Sequence, residues 1–259
     1  MQPSDKYHQE PVVRPATQAN RFYEGDTQRL VAEVDGYLSL HDQSPVFHNL
    51  AALIVPHAGY YFSGNVAAAA YKVIDPEKSY KRIFLLGPSH CVWLNGASVN
   101  TEADYYATPL GNVKVDRETA LKLTASDDVF TYKPEAHAEE HCLEVQLPFL
   151  QRFFSSSSSL SPQPLPPIVP IIISTNHFGK LKRMAEVLKP YFNDDNLFIV
   201  SSDFSHYPSY DDACEVDART GRAIETGDVG QFIAAIEANA TRASATCRQV
   251  PVASSPSSR

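Results

Sequence analysis

Three histidines of the chain each follow a short apolar run, at positions where polar side chains can gather. Together with an aspartate that precedes the last of them, they are His57, His90, Asp203 and His206. Imidazole is the commonest metal ligand in proteins and titrates near neutral pH. One such histidine is usually a satisfied turn residue, but the threefold repeat favours a site for a redox metal or a general base.

A fourth polar cluster, residues 137–144, carries histidines and glutamates at helical spacing. His137 and His141 are four residues apart, and His141 and Glu144 are three apart, so a helix would place them on one face. The pattern resembles the zinc motif HExxH only loosely, because the order and the inner glutamate differ. We therefore expect a solvated helix start, or residues that support a neighbouring site, rather than a primary metal site.

Other catalytic templates do not match the sequence. It has no GxGxxG or GxxxxGKS/T loop for nucleotides, and no GxSxG turn for a nucleophilic serine. Ser89, Ser201 and Ser202 stand close to the histidines in sequence and leave a Ser-His-Asp hydrolase as an open alternative.

The elements that must position these residues alternate between strands and helices. Apolar runs predict buried strands at 51–55, 82–86, 168–173 and 197–201. Spacing and capping predict helices at 66–74 after Ser63, 116–126, 139–154 with a kink or break at Pro148, 177–188, 212–224 and 228–238. This alternation predicts an α/β fold, with a mostly parallel sheet flanked by helices on both faces. Because parallel strands end at one edge, the three histidines and Asp203 are expected on one rim.

Length and composition predict a single domain over residues 1–259. Of the 259 residues, 43% are apolar and 20% are charged, which is typical of a globular protein with a sizeable core. We expect the core at about 12–252. The serine- and proline-rich segment 155–167 is predicted to be a low-complexity insertion, and 253–259 a disordered tail.

Charge and cysteine content narrow the classes of partner. A formal charge of −8 argues against nucleic acid or an anionic membrane surface as the principal partner. No apolar stretch approaches the roughly 18 residues of a membrane-spanning helix, and the polar opening lacks the core of a secretory signal, so no membrane insertion is expected. Four cysteines without a CxxC pair predict free thiols. A cytoplasmic location follows, extended to the nucleus for a eukaryotic source.

Several motifs occur in one order over roughly residues 12 to 240. They are Arg14-Pro15-Ala16, IVPHAGYYFSG from Ile54, RIFLLGPSH from Arg82, TPLG from Thr108, EEHCLEVQLPFLQ from Glu139 and FIVSSDFSHYPSYDDA from Phe198. In these motifs the chain resembles the Memo-like family, which includes the bacterial and archaeal proteins called AmmeMemoRadiSam system protein B. The resemblance implies a fold like that of the LigB-type class III extradiol dioxygenases, non-haem iron enzymes built on an α/β sandwich.

The resemblance also implies a metal site. In Memo proteins two histidines and a cysteine hold iron or copper, and they correspond here to His57, His90 and Cys247. His206 stands at the place of the catalytic base, with Asp203 beside it. Supporting or pocket positions fall on His141, Glu140, Glu144, Ser89 and Tyr60. The expected cofactor is therefore Fe(II) or copper.

The cysteine segment departs from the family pattern. It keeps the spacing of cysteine and proline between Thr246 and Val252, but Arg248 stands where the family has a glycine. Only 12 residues follow Cys247, whereas the family's proteins continue through a further helix and strands. The C-terminal part of the fold is therefore expected to be truncated in this chain.

The first functional hypothesis is an iron- or copper-binding protein with a dioxygenase-like pocket and a redox or oxygen-handling role. If the protein is an enzyme, this makes it an oxidoreductase, although a cysteine in place of the dioxygenase carboxylate disfavours extradiol ring cleavage. Two alternatives stay open: a non-enzymatic module that binds a peptide or signalling partner in the same pocket, and a metal-dependent or serine hydrolase. The expected partner is a small molecule, a protein or a peptide.

Overall fold

The computed structural model describes residues 10–156 and 164–242, without the side chains of residue 156 and of residues 240–242. The strands are β1 (Val13–Arg14), β2 (Ala52–Val55), β3 (Arg82–Pro88), β4 (Ala97–Val99), β5 (Tyr105–Thr108), β6 (Gly111–Lys114), β7 (Phe130–Thr131), β8 (Ile168–Ile173) and β9 (Asn196–Ser201). The helices are α1 (Thr27–Ser39), α2 (Tyr60–Tyr71), α3 (Arg117–Ser126), α4 (Pro134–Ala138), α5 (Leu147–Ser156), α6 (Phe178–Leu188), α7 (Tyr210–Glu225) and α8 (Val229–Arg242). Two short 3₁₀ turns cover Glu144–Gln146 and Lys189–Tyr191.

The main sheet has six strands in the order β2-β9-β3-β8-β4-β7. The first four of these are mutually parallel, with Leu53 opposite Ile199 and Leu85 opposite Pro170. Strand β4 runs antiparallel to β8, and β7 is parallel to β4. A separate three-stranded sheet has the order β1-β5-β6. The predicted α/β fold with a mostly parallel sheet is confirmed, including the strand 168–173 with its internal proline.

Both faces of the main sheet are covered, because alternate residues of each strand point into different cores. Leu53, Ile83, Leu85 and Ile199 pack on one face with residues of α1, α2 and α5. Phe84, Val169 and Phe198 pack on the other face with Leu123 of α3 and with Met184 and Leu188 of α6. The strands therefore read as continuous apolar runs, which is why the sequence predicts them well.

Two helices begin at other residues than the sequence predicts. Helix α2 begins at Tyr60, with Gly59 at its N-cap, and Ser63 lies inside it, where its hydroxyl donates to the carbonyl oxygen of Ala58. The predicted capping role of Ser63 is therefore wrong.

The predicted helix over 139–154 is also wrong in its first half. Helix α5 begins at Leu147, so Pro148 lies in the first turn, where a missing backbone N–H breaks no hydrogen bond. Residues 139–143 form a turn before the 3₁₀ segment Glu144–Gln146. This non-helical stretch carries glutamate and histidine side chains that belong to the candidate site.

The remaining boundaries concern the predicted insertion and tail. Residues 155 and 156, which the sequence assigns to the insertion, continue α5, and residues 157–163 lie outside the described ranges. The predicted tail 253–259 also lies outside them, as does Cys247, so the extent of the domain beyond residue 242 stays a prediction. Among the described residues, no helix has both the length and the apolar character that crossing a membrane requires.

Candidate metal centre

The candidate site forms where three neighbouring parallel strands end. Strands β2, β9 and β3 lie side by side, and His57, Asp203 and His90 each follow the end of one of them by two residues. The ring centroids of His57 and His90 are 5.1 Å apart. The backbone N–H of His57 donates to Oδ1 of Asp203 over 2.6 Å. The structure therefore brings these three predicted residues together at one rim.

A third imidazole, that of His141, completes the cluster. Its ring centroid lies 4.3 Å from that of His90 and 5.5 Å from that of His57, and it stacks on Phe22. One ring nitrogen from each of the three histidines falls within 4.8 Å of the other two. The sequence predicts a supporting role for His141, whereas in the structure its ring belongs to the same cluster as those of His57 and His90.

His57 has a buried ring nitrogen without a hydrogen-bond partner. Its side chain is 1% exposed, and Nδ1 lies 2.9 Å from the hydroxyl oxygen of Ser201. Its other nitrogen, Nε2, is the one buried side-chain nitrogen or oxygen of the described residues that has no hydrogen-bond partner. An unpaired buried polar atom costs about 1–3 kcal/mol, so such an atom usually has a functional explanation. A buried imidazole nitrogen without a partner, on a ring clustered with two other imidazoles, suits a metal ion.

The carboxylate of Glu140 organises the other two histidines. Oε1 lies 2.8 Å from Nδ1 of His90 and 3.3 Å from Nδ1 of His141, and the backbone N–H of His90 donates to Oε2 over 2.6 Å. Burial of the carboxylate opposes its ionisation, but the hydrogen bonds from His90 and the charges that both rings carry when protonated outweigh it and lower the pKa of Glu140 to about 2. An ionised carboxylate only accepts, so it turns Nδ1–H of His90 towards itself and leaves Nε2 for a metal.

Burial keeps two of the three rings neutral. It lowers the pKa of His57, against an opposing effect of the Asp203 charge. Burial and then the charge of His90 lower the pKa of His141 to about 4. Because a neutral imidazole is the form that binds metal ions, both rings are ready to act as ligands near pH 7.

Asp203 and His206 lie together at the outer edge of the cluster. Oδ2 of Asp203 is 3.7 Å from Nε2 of His57 and 3.9 Å from Nε2 of His206. Nδ1 of His206 lies 3.2 Å from the carbonyl oxygen of Phe204, and its side chain is 41% exposed. Asp203 therefore lies beside His206, as the sequence predicts. Its carboxylate stands between the buried ring of His57 and the solvent-exposed ring of His206.

Glu144 has a structural position behind the site. Its fully buried carboxylate accepts from the Arg14 guanidinium, from the backbone N–H of Gln18 over 2.9 Å and from the Tyr23 hydroxyl over 2.6 Å. Arg14 also donates to the carbonyl oxygens of His137 and Glu140 over 3.0 and 2.9 Å. This buried pair ties the N-terminal strand β1 to the 139–144 stretch, a role of Arg14 that the sequence analysis does not identify.

Ser89 and Tyr60 are likewise used in packing. Ser89 is buried and its hydroxyl donates to the carbonyl oxygen of Val92. The Tyr60 hydroxyl donates to the carbonyl oxygen of Val145 over 2.6 Å, and burial raises its pKa. Both hydroxyls hydrogen-bond to backbone carbonyl oxygens and so hold the loops of the site in place.

His137 does not share a face with His141. It lies in α4, buried, with Nδ1 3.0 Å from the Tyr106 hydroxyl and Nε2 3.0 Å from the Ser98 hydroxyl. Burial and the charge of Arg14 lower its pKa to about 3. The shared helical face predicted from spacing is wrong because residues 139–143 are not helical.

A second grouping of possible ligand atoms consists of His90, Glu140 and Cys142. It is less suited to a metal than the three imidazoles. Burial raises the pKa of the Cys142 thiol, whose Sγ donates to the carbonyl oxygen of Pro88, and the carboxylate of Glu140 already accepts several N–H groups. A thiolate would have to form in the least hydrated part of the site.

The sheet and the three converging imidazoles define the class of protein: an α/β fold whose strand ends carry a candidate transition-metal centre. The description "Memo-like protein" matches residues 14–255, and the chain belongs to the Memo-like family. This confirms the resemblance found in the sequence, together with the LigB-like fold class.

Named relatives from three kinds of organism agree with this membership. The chain is 31% identical to the MEMO1 family protein MHO1 of Saccharomyces cerevisiae over 249 residues, which cover 93% of this chain and 72% of the yeast protein. It is 34% identical to Protein MEMO1 of Xenopus laevis over 198 residues, 76% of this chain and 63% of the frog protein. It is 30% identical to a MEMO1 family protein of Sulfurisphaera tokodaii over 218 residues, 80% of this chain and 74% of that protein.

Proposed function

We propose that the chain binds one iron or copper ion between His57, His90 and His141 and serves a redox or oxygen-handling reaction. Two observations carry the proposal: Nε2 of His57 is buried without a hydrogen-bond partner, and one ring nitrogen from each of the three histidines lies within 4.8 Å of the other two. Imidazole ligands suit iron and copper, and a thiolate from Cys247, inferred from the family resemblance, would make the ligand set softer still. A bound ion of this kind would supply electron transfer and Lewis acidity.

The other residues of the rim have roles that follow from their exposure and charge. Glu140 fixes the rings of His90 and His141, and Asp203 holds the backbone of His57. The His206 side chain is the most exposed imidazole of the group, at 41% against 32% for His90, so we assign it the acceptance of a proton from a bound molecule, with the Asp203 carboxylate near its Nε2. If the protein is catalytic, it is in this proposal an oxidoreductase.

A serine hydrolase is a weaker candidate. Ser201, His57 and Asp203 do lie in line, but the Ser201 hydroxyl is buried and donates to the carbonyl oxygen of Cys142 over 2.6 Å. Its proton is therefore directed away from His57, which cannot activate the oxygen as a nucleophile. A metal-dependent hydrolase would use the same three imidazoles and would lose activity on chelation.

Exposed aromatic side chains support a second candidate function, a non-enzymatic module that binds a peptide or protein at the same rim. Tyr61 and Phe62 follow His57 and are 87% and 80% exposed, Trp93 follows His90 and is 63% exposed, and Tyr207 follows His206 and is fully exposed. Aromatic residues are enriched in protein contact surfaces, so exposed ones close in sequence to the site histidines support this function. In this reading the imidazoles recognise the partner and hold no metal.

The proposed location is the cytoplasm, extended to the nucleus for a eukaryotic source. Among the described residues the cysteines Cys91, Cys142 and Cys214 are free thiols, which is typical of reducing compartments.

The decisive experiment is an anaerobic titration of the chain with Fe(II) and, separately, Cu(I). We expect near one-to-one binding that is lost in His57→Ala, His90→Ala and His141→Ala and retained in His177→Ala, whose ring is exposed on the segment before α6. Cys247→Ala measures whether the cysteine of the family pattern contributes. A folded wild-type chain that binds neither ion would reject the metal site and favour the binding module.

A further inference from the structure

A buried chain of hydrogen bonds leads to Nδ1 of His57. It consists of Tyr71, Gln146 and Ser201, none more than 1% exposed. The Tyr71 hydroxyl donates to Oε1 of Gln146 over 2.7 Å, and Nε2 of Gln146 donates to the carbonyl oxygen of Pro56 over 3.0 Å and to the Ser201 hydroxyl over 2.9 Å. The chain ends at Nδ1 of His57, 2.9 Å from the same hydroxyl.

The direction of every bond in this chain is fixed by chemistry. The carbonyl oxygen of Pro56 can only accept, so the amide NH₂ of Gln146 must face it, and the orientation of that side chain is settled. The carbonyl oxygen of Cys142, 2.6 Å from the Ser201 hydroxyl, can also only accept, so it receives the single hydroxyl proton. With its proton used, Ser201 can only accept from His57.

We infer that Tyr71, Gln146 and Ser201 hold His57 as the Nδ1–H tautomer and so keep a bare lone pair on Nε2. The inference explains why Nε2 is the buried atom without a partner among the described residues: the ring cannot carry its proton there without leaving Nδ1 facing an oxygen that has none to give. Ser201 is therefore a positioning residue, which acts on a ligand through its tautomer. For metal binding, the inference rests on the proposed function; for the tautomer itself, it does not.

The first test needs no metal and no variant other than one for assignment. A long-range ¹H–¹⁵N spectrum of the metal-free, ¹⁵N-labelled chain reports which nitrogen of each histidine carries a proton, and His57→Gln assigns the His57 signals. We expect a proton on Nδ1 and none on Nε2 of His57. A proton on Nε2 in the wild-type chain would overturn the inference, whatever the folding of any variant.

The second test removes the acceptor. Ser201→Ala is expected to abolish the preference for Nδ1–H and to weaken metal binding about 10- to 100-fold, the usual effect of losing such an outer hydrogen bond. Ser201→Thr, which keeps a hydroxyl, should restore both, and the neighbouring Ser202→Ala, whose hydroxyl donates to the Asp203 carbonyl oxygen, is the matched control. An unchanged tautomer in folded Ser201→Ala would contradict the inference. The expected tautomer in a wild-type chain that binds no metal would instead reject the proposed function alone.

Discussion

Glu140 is the residue on which two of the three imidazoles depend. Its carboxylate is 2% exposed and accepts from the ring and backbone of His90 and from the backbone of His141. A carboxylate can accept hydrogen bonds with both oxygens. A glutamine in its place would bring its own NH₂ group against one of the N–H groups that now donate to the carboxylate. The negative charge also offsets the positive charge that a bound cation brings into a buried site.

Replacement of this carboxylate should therefore weaken metal binding more than it changes the fold. Glu140→Gln is expected to lower the affinity for Fe(II) or Cu(I) about 10- to 100-fold and to cost about 1–3 kcal/mol of stability. Competition against a chelator of known affinity measures the first effect, and urea unfolding the second. The control is Glu139→Gln, an exposed neighbour, which should bind as the wild type does. Equal metal affinities of the two variants would show that Glu140 does not support the metal site.

His137 predicts how stability varies with pH. Its pKa is about 3 in the folded protein, because burial and Arg14 disfavour the charged ring, and near 6.5 in the unfolded chain. Between these values the unfolded chain binds a proton that the folded protein excludes. The contribution of the neutral His137 ring to the free energy of unfolding is therefore fully present above pH 6.5 and is lost as the pH falls towards 3. In that interval the free energy of unfolding changes by up to ~1.4 kcal/mol per pH unit.

This prediction can be checked with the free energy of unfolding measured from pH 7 to pH 4. His137→Gln should reduce the slope, whereas His177→Gln, an exposed histidine, should leave it unchanged. His57 and His141 contribute with the same sign, so the slope of His137→Gln should fall without vanishing. A variant with the wild-type slope would show that His137 is not protonated on unfolding.

At the scale of elements, the 139–146 stretch is held against the end of β3 by close packing. A Cβ atom on Gly87 would lie 2.5 Å from Sγ of Cys142 and 3.0 Å from Cδ2 of Leu143. Real Cβ atoms do not approach other heavy atoms so closely, so this glycine is needed for the approach of the loop to the strand.

The substitution Gly87→Ala should thus destabilise the protein by about 1–3 kcal/mol and weaken metal binding by displacing the loop of His141. Gly221→Ala is the matched control, because nothing lies within 4 Å of a Cβ there and the residue is inside α7. In a helix the added methyl should stabilise by about 0.5–1 kcal/mol. Thermal and urea unfolding of both variants would reveal the predicted opposite signs; a neutral Gly87→Ala would mean that the loop is free to shift.

The elements also show which parts of the site could be predicted from the sequence. The runs 51–55, 83–86 and 197–200 are apolar throughout, so the ends of these strands and the polar residues after them are visible locally. The position of His141 is not visible locally. The 139–146 stretch is held by Arg14, which binds Glu144 although the two residues are 130 positions apart in sequence. Helical spacing wrongly predicts a helix for this stretch, because periodicity reflects residues that are close in sequence and cannot reveal a contact with a distant guanidinium.

Ser201 and Gln146 illustrate a second kind of limit. The sequence shows Ser201 beside the histidines and leaves its role open between nucleophile and bystander. Its actual neighbours are decided by the register of β9 against β2, in which it stands opposite Val55, and by the turn that brings the Cys142 carbonyl oxygen to it. No local pattern marks a glutamine in a 3₁₀ turn as a partner of a serine at the end of a strand.

At the scale of the whole molecule, metal binding and folding should be linked, because the three histidines come together only in the folded chain. A ligand at 100 times its dissociation constant adds about 2.7 kcal/mol to stability, which for a protein of this size corresponds to a rise in Tm of roughly 5–11 °C. Differential scanning calorimetry with and without Fe(II) under anaerobic conditions measures it. His57→Ala should show no rise; a similar rise in that variant would place the ion elsewhere.

The order of strands in the main sheet has a consequence for how the protein is made. Strand β9 lies between β2 and β3, so those two strands do not pair with each other. The edges of β2 and β3 that pair with β9 therefore stay open until β9 has been synthesised. Ser201 follows Pro88 by 113 residues, which takes a ribosome roughly 6–23 s at ~5–20 residues per second. During that interval the strands that precede His57 and His90 are not yet joined through β9 in one sheet. Ser201 and Asp203, which hold His57, come at and just after the end of β9. The proposed metal site is therefore complete only after β9 has been synthesised, and a bound ion would stabilise the finished sheet and not the separate strands before it.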